Sequence, residues 1–187
     1  GVGVGMHAHS YGFGIDLQYY FLKDNNTTIT IGTSLGSVKH PRESKITSAY
    51  ADQGGKDYIY DKKNYGYVFA PTLGFGKDII KRNDFNKVSL RLTGAVGPAI
   101  AMLKPYYLEV AVPTTGNQAV VEIQRFDAAQ HNYTNIVGEA DFFQGINEIS
   151  VTPGLQTRVA AFMDLAGNRD VIRAIEFSGY ANIFSQP

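Results

Sequence analysis

The chain has 187 residues, with 17 basic and 17 acidic side chains and no cysteine. A chain without net charge offers no broad basic surface for nucleic acid, and the absence of cysteine excludes disulfides, thiolate zinc sites and cysteine nucleophiles. The length suits one domain with a sizeable core. The 12 Tyr, 11 Phe and 20 Gly residues, without any Trp, are typical of a β-protein with tight turns and aromatic edges.

Seven segments alternate apolar residues with small or polar ones at a period of two, which predicts β-strands. Many are about 9 to 11 residues long, the length that a tilted strand needs to cross a bilayer. The apolar positions that mark them, in chain order, are Val2 to Ala8, Phe13 to Phe21, Ile29 to Leu35, Tyr65 to Phe75, Leu90 to Met102, Ile149 to Val159 and Ile175 to Ile183.

The connections between these segments alternate in length. Short polar turns are predicted at Lys23–Asn26, Asp78–Lys87 and Leu165–Asp170, and long connections at Ser37–Tyr58 and Lys104–Asn147. Short turns at one end and long loops at the other are typical of outer-membrane barrels. We therefore predict one all-β domain over residues 1–187, an antiparallel transmembrane β-barrel with short periplasmic turns and two long extracellular loops.

The number of strands needs an explanation, because single-chain bacterial barrels have even counts. An open sheet edge in lipid would leave unpaired backbone groups at a cost of several kcal/mol each. We therefore expect eight strands. The eighth lies either beyond Pro187 or within the second long connection, where Leu108–Pro113 and Ala119–Phe126 could equally form an extracellular hairpin. Because the sequence begins in mid-pattern without an initiator Met, we also expect that an export signal has been removed.

Four different predicted strands carry charged side chains at the positions that alternate with the apolar ones, and therefore on the opposite face from the apolar residues. The charged side chains are Asp16, Arg91, Arg158 and Glu176. Because buried charges must be paired, we predict that these four side chains form an ion-pair cluster inside a narrow lumen. The alternative is a solvated sheet face with scattered charges. Three prolines, Pro71, Pro98 and Pro153, lie within predicted strands and indicate bulges or breaks, since proline loses a ladder hydrogen bond.

Histidines gather at the end of the predicted barrel that carries the long loops. His9 ends the first strand, His40 and Glu43 begin one long loop, and His131 lies in the other. These four side chains are a candidate divalent metal site at the extracellular rim. The alternative is that they are ordinary loop residues, since their spacing is not a compact ligand motif. We expect no other cofactor, because the early GVGVG lacks the helix that a phosphate-binding glycine run requires.

A family resemblance covers most of the chain. It rests on His40-Pro41-Arg42-Glu43, on the run from Leu103 to Glu109, on Asn135-Ile136-Val137-Gly138, on Phe143-Gln144-Gly145, on Pro153-Gly154-Leu155 and on the run from Ile172 to Glu176. With these motifs the chain resembles small, largely uncharacterised outer-membrane β-barrel proteins of Bacteroidota. The resemblance implies an exported barrel and no particular activity. Barrels of this kind serve as accessory subunits in envelope machines for barrel assembly, protein secretion or nutrient uptake.

The prediction from the sequence is therefore an integral outer-membrane barrel that acts as an accessory or structural subunit. A small barrel is filled by side chains and is not a general porin. We expect it to contact the lipid bilayer and a partner outer-membrane protein or surface lipoprotein, and not nucleic acid. One alternative is an outer-membrane enzyme or metal-dependent site at the rim; another is a soluble ligand-binding β-barrel.

Overall fold

The computed structural model describes residues 2–9, 12–24, 26–80, 88–114, 119–165 and 173–185. Twelve strands account for most of these residues, with two short 3₁₀ turns at Ala51–Gln53 and Ile146–Glu148. The strands are β1 Val2–His9, β2 Gly12–Asp24, β3 Thr27–Val38, β4 Lys45–Ile46, β5 Tyr58–Ile59, β6 Asn64–Ile80, β7 Ser89–Pro105, β8 Tyr107–Pro113, β9 Ala119–Arg125, β10 Ile136–Glu139, β11 Ser150–Leu165 and β12 Arg173–Phe184.

Seven of the strands form one antiparallel sheet, the wall sheet, in the order β1-β2-β3-β6-β7-β11-β12. The prediction of an all-β antiparallel fold is confirmed. Within the described ranges β1 and β12 each pair with one neighbour only, so the wall sheet has two edges. The described residues thus give seven wall strands and no closed barrel, and the eighth strand stays a prediction.

The short turn before β3 is where it was predicted, between Asp24 and Thr27. The next turn begins later than predicted, because β6 continues through Asp78 to Ile80. The rest of that turn lies outside the described residues, as does most of the turn predicted after Leu165. Within the described ranges, no helix is long and apolar enough to cross a bilayer.

The described parts of the two long connections fold into a second layer at one end of the wall sheet, which we call the cap (residues 39–63, 106–114 and 119–149). It contains a three-stranded sheet in the order β10-β8-β9 and a small β4-β5 pair. Its interior is a hydrophobic cluster of Tyr58, Tyr106, Leu108, Val110 and Ile136. The two internal candidates for an eighth wall strand are therefore part of a cap hairpin, which is the alternative that the sequence had left open.

Alternating exposure along the wall strands confirms the predicted assignment of the two faces. On β7, Leu92 and Val96 are exposed, whereas Arg91, Thr93 and Ala95 between them are partly covered. Buried side chains of the covered parity are small or polar and include Thr28, Ala70, Ala99, Gln156 and Ala160. The wall sheet thus carries its apolar residues on the solvent-accessible face.

Two of the three prolines that were predicted to lie within strands occupy facing positions of neighbouring strands. Between β6 and β7, Phe69 pairs with Ile100 and Leu73 with Val96, while the intervening positions, with Pro71 opposite Pro98, are unpaired. The ladder resumes in the same register, so this is a local gap and not a bulge. Because neither proline has an amide hydrogen to donate, one interruption accommodates both.

Candidate functional site: the concave face and the cap

The wall sheet is curled, so strands that are distant in the sheet order face one another. Ser34 Oγ on β3 donates a hydrogen bond to Gln156 Oε1 on β11 at 3.3 Å, although β6 and β7 lie between these strands in the sheet. Gln156 Nε2 in turn donates to Asn182 Oδ1 on β12 at 2.9 Å. A chain of polar side chains therefore crosses the concave face, and the covered face of the sheet is an interior.

A second set of contacts surrounds Arg158 on the same face. Arg158 Nη2 lies 2.5 Å from Glu176 Oε1 on the adjacent strand β12. From the opposite side, the Gln18 side-chain amide on β2 lies between Arg158 and the Tyr20 hydroxyl. With the amide oxygen assigned to the guanidinium side, it accepts from Arg158 Nη2 at 2.9 Å and the amide nitrogen donates to Tyr20 Oη at 2.6 Å. Arg158 thus links β2, β11 and β12 across the interior.

The predicted ion-pair cluster is reproduced in part by these distances. Arg158 pairs with Glu176 as expected, and Asp16 lines the same interior. Arg91 instead pairs with Asp78, with Arg91 Nε 2.6 Å from Asp78 Oδ1. Sequence reasoning missed this partner because Asp78 was assigned to a turn, whereas β6 continues past it and places its carboxylate beside β7.

Polar and charged side chains line two cavities within the concave face. One, of about 240 Å³, lies among Asp16, Ser34, Gln156 and Tyr180. The other, of about 530 Å³, lies among threonine hydroxyls, Arg91 and Glu176. Gln18, Thr72 and Arg158 line both cavities. These three side chains therefore lie at the boundary between the two cavities.

A buried lysine stabilises the junction of the cap with the wall sheet. Lys62 Nζ lies 2.6 Å from Glu43 Oε2 and 4.3 Å from the centre of the Tyr65 ring. Burial raises the pKa of the Glu43 carboxyl, but hydrogen bonds from Lys62 and from the His40 amide outweigh this effect and hold that pKa below its ordinary value. Glu43 is therefore an ionised partner of Lys62.

The structure gives three of the four predicted metal ligands other contacts. His131 is buried; its Nδ1 accepts a hydrogen bond from the Asp127 amide, and its Nε2 lies 3.0 Å from Gln124 Oε1. His40 Nδ1 accepts from the Arg42 amide, and Glu43 binds Lys62.

The fourth predicted ligand, the His9 side chain, lies outside what the structure describes. Among the described side chains no group of three or more His, Asp or Glu residues is close enough to hold a metal ion. The metal site stays a prediction without geometric support.

Exposed apolar side chains mark two parts of the cap to which the sequence analysis assigned no functional role. Strand β9 is an edge of the cap sheet and exposes Val120, Val121 and Ile123. The segment Asp141–Ile149 exposes Phe142, Phe143, Ile146 and Ile149. In neither segment do the apolar residues recur at a regular spacing. The only sequence signal that could have identified these exposed surfaces is therefore the high density of large apolar residues.

Comparisons with known proteins add no relative to this geometry. No family model, no curated protein and no solved structure matches the chain. The resemblance to outer-membrane proteins of Bacteroidota therefore stays a prediction from the motifs.

Proposed function

We propose that this chain is an integral barrel-type protein of the bacterial outer membrane, where the wall sheet contacts lipid and the cap docks to a partner envelope protein. The observation that carries this proposal is the apolar convex face. It includes Met6, Phe13, Leu73, Val159 and Phe177, whose side chains are 60% to 86% exposed. Soluble monomers rarely expose contiguous apolar patches of more than a few hundred Å².

The composition of the concave face favours the same interpretation. A soluble ligand-binding barrel has its apolar face inside, whereas here the interior contains the Arg158–Glu176 and Arg91–Asp78 pairs. Polar inside and apolar outside is the arrangement of transmembrane strands. With Gln18, Thr72 and Arg158 between the two cavities, the interior is better suited to stabilising the protein than to passing large solutes.

The cap supports a docking role because it is a folded unit with its own core. Its strand β9 pairs with β8 along one side and exposes Val120, Val121 and Ile123. A strand edge that no described strand covers is a ready template for an added strand from another protein. The partner class that fits is an outer-membrane protein or a surface lipoprotein, and the chain acts as its accessory subunit.

Insertion into phosphatidylcholine vesicles tests the membrane part of this proposal. Leu92→Arg places a charge on the convex face, and we expect it to reduce the insertion yield and to cost about 2 to 4 kcal/mol if Leu92 lies near the midplane. Tyr133→Arg, at an exposed position of the cap, is the matched control and should insert like the native chain. A native chain that stays monomeric in buffer without detergent would contradict membrane insertion.

Crosslinking in intact cells tests the docking part. Val121→Asp on β9 should abolish a crosslinked species that the native chain gives, while the variant still fractionates with the membrane. Asp52→Asn, at an exposed position elsewhere in the cap, should leave the crosslinked species unchanged. Equal crosslinking of the native chain and Val121→Asp would show that β9 is not the docking edge.

A further inference from the structure

The cap segment Asp141–Ile149, which we call the rim loop, presents apolar side chains to solvent. Phe142, Phe143, Ile146 and Ile149 are all exposed, and Phe143 is the most exposed at 70%. The large side chains of the cap cluster, in contrast, are buried against one another. Exposed apolar side chains are therefore a feature of particular segments of the cap, the rim loop and β9 among them, and not of its core.

The rim loop lies where the apolar convex face of the wall sheet ends. It leads directly into β11, in which Ser150 pairs with Leu103 and Val151 with Met102 on β7. Val151 is itself an exposed apolar residue. Like its partner Met102 it has the parity of the convex face, and Ile149, two residues earlier, has the same parity. The Phe142 ring lies 6.0 Å from the ring of Tyr65, which has the convex parity on β6. The rim loop thus adjoins the apolar convex face at the end that carries the cap.

Several contacts hold the rim loop in a defined conformation. Gly145 has a left-handed φ of 75°, and a Cβ atom there would lie 2.5 Å from the Tyr107 ring. Tyr107 Oη donates to Glu148 Oε1 at 2.8 Å, and Lys104 Nζ lies 4.9 Å from the centre of the Phe142 ring. Presenting the apolar side chains therefore requires little further ordering of the loop.

From these observations we infer that the rim loop is a membrane-surface anchor. It binds the lipid bilayer at the boundary between the headgroups and the acyl chains. Phe143 and Ile146 insert at this boundary. The inference rests on the proposed function, since it requires the wall sheet to lie in the bilayer. Continuity with the convex face favours lipid over a protein partner, and aromatic residues at the interface are general in membrane barrels.

The absence of tryptophan from the chain allows a test with single-tryptophan variants. Phe143→Trp reports on the rim loop, Val96→Trp on the convex face, and Tyr133→Trp on an exposed position of the cap. Each variant is reconstituted in phosphatidylcholine vesicles with lipid brominated near the headgroup or near the chain end. We expect headgroup-side bromine to quench Phe143→Trp most strongly, chain bromine to quench Val96→Trp, and neither to quench Tyr133→Trp.

The outcomes separate the anchor from the proposed function. If Val96→Trp is not quenched, the wall sheet is not in lipid and both proposals fail. If Val96→Trp is quenched and Phe143→Trp behaves like Tyr133→Trp, the wall sheet is in lipid but the rim loop is not a membrane anchor. The exposed rim-loop side chains then bind a protein partner instead of lipid. Ile146→Trp repeats the measurement on the same loop, so a Phe143→Trp variant that does not fold leaves the test intact.

Discussion

Ser34 and Gln156 are hydrogen-bonded across the concave face, Oγ to Oε1 at 3.3 Å, although two strands separate them in the sheet. Gln156 is 5% exposed and also donates to Asn182. The contact therefore depends on the curl of the whole sheet and stabilises that curl in return.

Replacing Gln156 should accordingly destabilise the fold. Gln156→Leu leaves the Ser34 and Asn182 side chains without this partner in a covered interior, and an unsatisfied buried polar group costs about 1 to 3 kcal/mol. Thermal unfolding in detergent should show a lower midpoint. Gln53→Leu, at an exposed position of the cap, is the control. Equal midpoints for the two variants would mean that the cross-sheet hydrogen bonds contribute nothing to stability.

The Arg91–Asp78 pair should show coupling in a double-mutant cycle. Arg91→Met alone leaves the Asp78 carboxylate without its 2.6 Å partner on the concave face, whereas Arg91→Met with Asp78→Leu removes both charges. Because removing one partner costs more than removing both, we expect the single variant to have the lower thermal midpoint. Since both side chains are partly exposed, we expect a coupling of only about 1 kcal/mol. Strict additivity would show that the pair is not coupled.

Gly97 should be far less tolerant of substitution than Gly94 on the same strand. A Cβ atom at Gly97 would lie 1.9 Å from the Pro71 carbonyl oxygen, whereas at Gly94 it would meet nothing within 4 Å. Gly97→Ala should therefore push β6 and β7 apart at the proline level and cost about 1 to 3 kcal/mol or more. Gly94→Ala should be nearly neutral. The measurement is the thermal midpoint of both variants. A lower midpoint for Gly94→Ala than for Gly97→Ala would show that β6 and β7 do not approach closely at Gly97.

Acid should weaken the cap through Glu43. Its pKa in the folded chain lies below the ordinary value of 4.5 because of its hydrogen bonds to Lys62 and the His40 amide. The Glu43 carboxylate therefore contributes its full stabilisation when the pH is above the ordinary glutamate pKa. This stabilisation is lost as the pH falls through the pKa of Glu43 in the folded chain. Glu43→Gln should be less stable than the native chain at neutral pH, and the difference should shrink in acid. Protease resistance of the cap at several pH values measures this, and a difference independent of pH would exclude the carboxylate as its cause.

Periodicity predicted the wall strands and their two faces because strand side chains alternate strictly, so that Leu92 and Arg91 must lie on opposite faces. The same rule could not locate the Asp78 partner of Arg91, because a strand end has no signal of its own in the sequence. The two long loops and the hairpin alternative were predicted, but their common core was not, because it joins Tyr58 to Leu108 and Ile136 across two separate connections. The facing of Pro71 and Pro98 depends on register, which alternation alone leaves open.

Tyr106 is the single residue between β7 and β8, and its ring lies 5.4 Å from the ring of Tyr65 on wall strand β6. Its amide donates to the Lys63 carbonyl at 2.9 Å, its hydroxyl accepts from the Ile59 amide at 3.0 Å, and its ring is buried. A hinge needs a residue whose backbone can rotate freely, and these contacts prevent rotation at this position. The step from β7 to β8 is therefore not a free hinge, and a molecule bound to β8 would lie at a height and angle that β7 sets.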